Sequence, residues 1–96
     1  MLESAILRPY QTFNNKELYP GAIEKAAALI ESIINNHPFI DGNKRLGYVL
    51  MRLILLEYGT DINANEDEKY QFVLSIANGD LKFDGIYVWI KKYIKG

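Results

Sequence analysis

Apolar residues recur at helical spacing along most of the chain. Between Pro20 and Asn36 they stand at Ile23, Ala26, Ala27, Ile30, Ile33 and Ile34, which predicts a helix with one apolar face. The alanines allow that face to approach a neighbour closely. Pro20 suits the first helical position, and Glu24, Lys25, Glu31 and the closing asparagines are assigned to solvent. A second helix is predicted from Gly42 or Asn43 to Tyr58, with Gly59 as its C-terminal stop. Leu46, Val49, Leu50, Met51, Leu53, Ile54, Leu55 and Leu56 surround nearly its whole circumference. A helix apolar all round is expected to be the central one.

Asn63 followed by Glu66 resembles a capping box and predicts a third helix over about Ala64 to Asn78, stopped by Gly79. The last helix begins near Asp84 and carries Ile86, Val88, Trp89, Ile90, Tyr93 and Ile94. Lys91, Lys92 and Lys95 form its polar face and end. At the other terminus, Met1 to Leu7 reads as the end of a helix, or a short turn of one, closed by Arg8-Pro9. The stretch from Tyr10 to Leu18 is built around Asn14-Asn15, residues that tolerate positive φ, and predicts a small hairpin or extended loop. The expected fold is all-α: a compact helical bundle, one domain over residues 1–96, with a short N-terminal flap.

Composition narrows the chemistry. Ninety-six residues leave room for one core. The absence of cysteine excludes disulfides, thiolate nucleophiles and cysteine zinc sites, and a single histidine excludes multi-histidine metal sites. A net charge of −1 supplies no global basic field, so direct nucleic-acid binding is not expected. The longest apolar run, Val49 to Leu56, is interrupted by Arg52 and is too short to span a bilayer. No basic-then-apolar leader opens the chain. The expectation is a cytoplasmic protein with no membrane partner.

The densest chemistry lies in His37-Pro38-Phe39-Ile40-Asp41-Gly42-Asn43-Lys44-Arg45, where a loop passes into the second helix. A helix N-terminus leaves N–H groups unpaired and favours anions. Gly42 lets backbone approach a phosphate, Lys44 and Arg45 add full charge, and Asn43 offers both a donor and an acceptor. Asp41 would repel a phosphate but suits Mg²⁺, which bridges carboxylates to phosphates. His37, four residues earlier, can accept a hydroxyl proton near neutral pH. Phe39 is assigned to the core, as a plug that orients His37. The run predicts a phosphoryl- or nucleotidyl-transfer site.

Taken singly, each residue has a plainer role. His37 could be a loop histidine, Asp41 an N-cap and the two cations solvated charges. Cations in a first turn oppose the helix dipole, however, unless an anion compensates them. That misplacement favours the phosphate reading.

These nine residues resemble the signature of the Fic/Doc superfamily, His-x-Phe-x-Asp/Glu-x-Asn-Gly/Lys-Arg. The death-on-curing (Doc) branch is the nearer likeness, because Lys44 stands where AMP-transferring Fic enzymes usually carry a second glycine. Leu2-Glu3-Ser4-Ala5, Arg8-Pro9, Leu18-Tyr19-Pro20 and Glu24-Lys25-Ala26-Ala27 are similar to the Doc pattern upstream, and Ala77-Asn78-Gly79 and Trp89-Ile90 downstream. The resemblance implies a toxin of a toxin–antitoxin system. Such a toxin phosphorylates a hydroxyl on elongation factor Tu, with Mg²⁺ and ATP or another nucleoside triphosphate. It implies His37 as general base, Asp41 as metal ligand, and Gly42, Asn43, Lys44 and Arg45 as the phosphate-binding group. Gln11, Thr12 and Phe13 would belong to a flap that aligns the target segment by strand addition.

Two glycines would open the backbone for an extra phosphate; a lysine fills that space, so the nucleotide is expected to present its γ-phosphate. AMP transfer is the alternative activity. A catalytically silent member that only binds an antitoxin is the alternative of another class. Doc-like proteins usually begin with a further helix of some two dozen residues, which this sequence is expected to lack; a homo-oligomer would cover the surface left exposed. No Ser/Thr-x-x-x-Glu-Gly/Asn inhibitory pattern is present. Inhibition is therefore expected from a separate antitoxin whose helical segment folds on the bundle.

Overall fold

A computed structural model describes residues 7–36 and 43–95. A 3-10 turn, Arg8–Tyr10, precedes a hairpin of β1 (Thr12–Phe13) and β2 (Lys16–Glu17). Helices α1 (Ala22–Asn36) and α2 (Asn43–Glu57) follow, then β3 (Asp61–Ile62), α3 (Glu66–Ala77), α4 (Phe83–Tyr93) and β4 (Ile94–Lys95). The fold is all-α, with only two small antiparallel ribbons, β1–β2 and β3–β4, among the described residues. The expected helical end over Met1 to Leu7 falls mostly outside them.

The hairpin forms as its sequence predicts. Asn14 and Asn15 both take positive φ, 53° and 64°, and join Phe13 to its partner Lys16. A two-residue turn of this kind matches the natural twist of the strands. Two helices also stop where expected. Gly59 (φ 80°) ends α2 as Thr60 N–H reaches the Leu55 carbonyl, and Gly79 (φ 83°) ends α3 as Asp80 N–H reaches that of Ser75.

Several boundaries and faces differ from expectation. Helix α1 starts at Ala22, two residues after Pro20. The capping box is Asn65 with Glu68, not Asn63 with Glu66: the Asn65 side chain accepts from Glu68 N–H, and Glu68 accepts from Asn65 N–H. Helix α3 therefore begins at Glu66. Lys95 does not extend α4; it pairs with Asp61 in the β3–β4 ribbon, which helical periodicity could not reveal.

Helix α1 is the most deeply packed element. From Lys25 to Ile34 every residue except Glu31 is buried, and α1 touches all three other helices and the 3-10 turn. Lys25, assigned to solvent from its charge, is only 2% exposed. Helix α2, apolar on every side, is buried on only one. Tyr48, Met51, Ile54 and Leu55 enter the core, whereas Leu46, Val49, Leu53 and Leu56 form an exposed stripe. Apolar character predicted burial all round, but the described residues supply α2 with neighbours on one side alone.

Gly47 of α2 faces α1 directly. A Cβ there would stand 3.4 Å from side-chain carbons of both Ile30 and Ile34. Close packing thus explains a glycine that costs up to ~1 kcal/mol in helix propensity against alanine. The core closes with Phe72 stacked on Trp89 at 3.7 Å between ring centroids, joining α3 to α4.

Candidate active site

Helix α2 opens at Asn43 with no acidic residue in its first turn. Lys44 and Arg45 are exposed there, in the position that opposes the helix dipole and suits a bound anion. Both line an open groove of about 520 Å³ between α2 and α3. Lys44, Tyr48 and Arg52 reach it at intervals of four residues along α2, so one helical face presents them together. Glu66, Lys69, Tyr70 and Val73 form the facing wall from α3.

The groove's charges are held in place. Arg52 Nε and Nη2 donate to Asp61 Oδ1 and Oδ2 at 2.9 and 2.7 Å. Those bonds hold the Asp61 carboxyl below its ordinary range and push the Arg52 guanidinium up. Lys69 pairs with Glu66 at 2.9 Å and lies 5.2 Å from the centre of the Tyr48 ring. Burial pushes the Tyr48 phenol up to about 12, so it keeps its proton at neutral pH. The result is a partly apolar trough with cations around it and a helix N-terminus at one end.

Of the residues assigned to the site, Lys44 and Arg45 are brought together at this end and Asn43 begins the helix that carries them. His37, Asp41 and Gly42, with Phe39, lie outside the described residues. The described residues contain no group of three or more histidines and carboxylates able to hold a metal ion. Gln11, Thr12 and Phe13 are exposed on the hairpin and do not line the groove. The hairpin is anchored instead at Lys25, early in α1. Asn36 stands eleven positions after Lys25, or about 16 Å along a helix.

Sequence reasoning missed Tyr48, Arg52, Lys69 and Tyr70. A signal for Arg52 existed, since it is the lone charge inside the apolar run from Val49 to Leu56. Its four-residue spacing from Tyr48 and Lys44 also places all three on one face. Lys69 and Tyr70 acquire meaning only because α3 packs opposite.

The model of the Fic/DOC family matches residues 1–55, more than half of the chain. The chain belongs to the Fic/DOC family. Residues 1–55 include the hairpin, α1, the nine-residue signature and most of α2. This Fic/DOC chain is 32% identical over 88 residues to "Toxin Doc" of Mycolicibacterium smegmatis, an alignment covering 90% of the chain and 68% of that protein. It is 45% identical over 76 residues to a Fido domain-containing protein of Dictyostelium discoideum, covering 71% of the chain and 52% of the relative. The chain thus spans about two thirds of the first relative and about half of the second. No solved structure gives a significant match. No described helix is long and apolar enough to cross a membrane.

Proposed function

We propose that this Fic/DOC chain is a Doc-like toxin that transfers the γ-phosphate of ATP, or another nucleoside triphosphate, to a protein hydroxyl. The single observation that carries this reading is the first turn of α2, where Lys44 and Arg45 stand beside a helix N-terminus without a neighbouring carboxylate in that turn. Such an end attracts phosphate oxygens through both charge and backbone N–H groups. The likeness to a protein named Toxin Doc supports the toxin role, and the Doc resemblance points to elongation factor Tu as the target.

Phosphoryl transfer asks a protein mainly for positioning and charge stabilisation. In this reading Gly42 and Asn43 shape the approach to the phosphates, and Lys44 and Arg45 neutralise charge on the transferring group. His37 takes the proton from the attacking hydroxyl as the new O–P bond forms and the bond to the leaving diphosphate breaks. Asp41 is the residue that would hold Mg²⁺, whose contribution is further neutralisation of phosphate charge. The target segment adds along the hairpin edge at Gln11, Thr12 and Phe13; five extended residues at ~3.3 Å each cover the ~16 Å from the hairpin anchor to the end of α1. The antitoxin's helical segment takes the exposed stripe Leu46, Val49, Leu53 and Leu56, whose spacing of three, four and three residues suits an amphipathic helix.

The test is to incubate the chain with Mg²⁺, a bacterial extract and ATP labelled at the γ- or the α-phosphate. Label passing to protein only from the γ position supports the reading. Label from the α position makes the chain an AMP transferase and overturns the role given to Lys44. With neither, and the protein folded, the chain is a catalytically silent antitoxin-binding member. Growth arrest on expression, relieved by His37→Ala, checks the toxin role.

A further inference from the structure

Among the described residues the hairpin has no apolar anchor. Every residue from Tyr10 to Leu18 is exposed, and its two strands pair only with each other. Its own tie to the bundle is polar, while the arms that flank it also carry apolar contacts: Pro9 is buried, and the Tyr19 ring lies 5.4 Å from that of Phe83 on α4. Lys25 of α1 is 2% exposed, and its ammonium donates to Glu17 Oε1 on β2 at 2.8 Å and to the Tyr19 carbonyl. A buried ammonium is strongly unfavourable without partners, and Glu17 and Tyr19 both belong to the arm by which the chain leaves the hairpin. Glu17 itself is half exposed; the buried end of the pair belongs to the helix.

The arm entering the hairpin is tied to the same helix. Arg8 Nη1 donates to Glu31 Oε1 at 2.9 Å and Ser32 Oγ at 2.7 Å, both on α1. Its Nε donates to the Tyr19 hydroxyl at 3.0 Å, joining the two arms. Leu18 N–H closes the neck onto the Gln11 carbonyl at 3.0 Å. Glu17 stands directly opposite Thr12 in the ribbon. Fixing Glu17 therefore fixes the strand whose outer edge is open to an added segment.

We propose that Lys25 is a positioning residue for the protein substrate: through Glu17 and Tyr19 it sets the pose of the hairpin edge on which the target segment is laid. This role rests on the hairpin's proposed part in aligning the target. Lys25 touches neither nucleotide nor hydroxyl in that scheme, so its loss weakens capture of the target and leaves the chemical step intact.

Two readouts test it, hydrogen exchange and label transfer, on Glu17→Ala, Glu17→Gln and Lys25→Met. Exchange followed by mass spectrometry should show amides of residues 11–18 exchanging at least tenfold faster in Glu17→Ala, with helix protection unchanged. Glu17→Gln, whose amide oxygen still accepts from Lys25, should stay near wild type. In γ-labelled ATP assays, Glu17→Ala should need at least tenfold more bacterial extract for half-maximal labelling. Its plateau rate and ATP half-saturation should not move. Lys25→Met should match Glu17→Ala; if it fails to fold, Glu17→Ala alone carries the test. Unchanged hairpin exchange in Glu17→Ala overturns the clasp, and a fall in plateau rate at unchanged half-saturation overturns the positioning role. A wild-type chain that labels no protein sinks the transferase reading and the positioning role with it, while the exchange result still upholds or overturns the clasp.

Discussion

Arg52 grips Asp61 with two parallel hydrogen bonds, 2.9 Å from Nε and 2.7 Å from Nη2, and so ties the middle of α2 to the first residue of β3. Asp61 also accepts its neighbour's N–H, from Ile62, at 2.7 Å, and its backbone pairs with Lys95 of β4. One carboxylate thereby orients a groove cation and joins the C-terminal ribbon to the bundle.

Asp61→Asn should lower stability at neutral pH by about 1 kcal/mol, since the pair is bidentate but Arg52 is 43% exposed. The folded Asp61 pKa is depressed. Its contribution is therefore present above the unfolded value of about 3.9 and lost as pH falls through the lower folded value. Urea denaturation of both proteins at pH 7 and pH 3 should show the difference shrinking on the acid side. An equal difference at both values would count against the assignment.

Tyr48 should give an alkaline limb. Its folded pKa, about 12 against an unfolded value near 10, means that the unfolded chain loses this proton first. Stability is retained below pH 10 and falls as pH rises towards 12, by about 2–3 kcal/mol over the window. In Tyr48→Phe that limb should flatten, as measured by denaturation between pH 9 and 11. Tyr10, also raised by burial, leaves a residual slope.

Gly47 separates two effects that usually travel together. Gly47→Ala gains helix propensity of up to ~1 kcal/mol and meets Ile30 and Ile34 at 3.4 Å, so the melting temperature should hardly change. Gly47→Val adds a Cβ and two methyl groups where the helices already touch and should destabilise by about 1–3 kcal/mol. A thermal melt that left the valine variant as stable as wild type would show that α1 and α2 are not in contact there.

Lys44 decides the orientation of the nucleotide in the proposed reaction. Lys44→Gly removes a full charge from the first turn of α2 and frees space for an additional phosphate. Transfer of γ-label should fall at least tenfold and α-label should appear. If both labels fall together, the lysine contributes binding charge only. Circular dichroism should confirm that the variant keeps its helices.

Legibility from sequence follows the range of the interactions involved. The Asn14-Asn15 turn and the glycine stops at 59 and 79 are readable because each depends on the φ preference of one or two residues. The capping box lies two residues later than the sequence suggests, because Asn63 and Glu66 have nearly the same local chemistry as Asn65 and Glu68. Lys25 defies its expected exposure for a different reason: a lysine carries its charge at the end of a long stem, and its partners Glu17 and Tyr19 lie outside its own helix.

The sequence by itself determined the helical class, the hairpin and the chemical character of the nine-residue signature, because periodicity, turn chemistry and residue type are local properties of the chain. Only the tertiary structure decided which side of α2 is buried, that Tyr48, Arg52 and Lys69 share a groove with Lys44, and that Lys25 is sealed beneath the hairpin. Those outcomes depend on which elements pack against one another, and burial and charge pairing are energies of that packing rather than of any one segment.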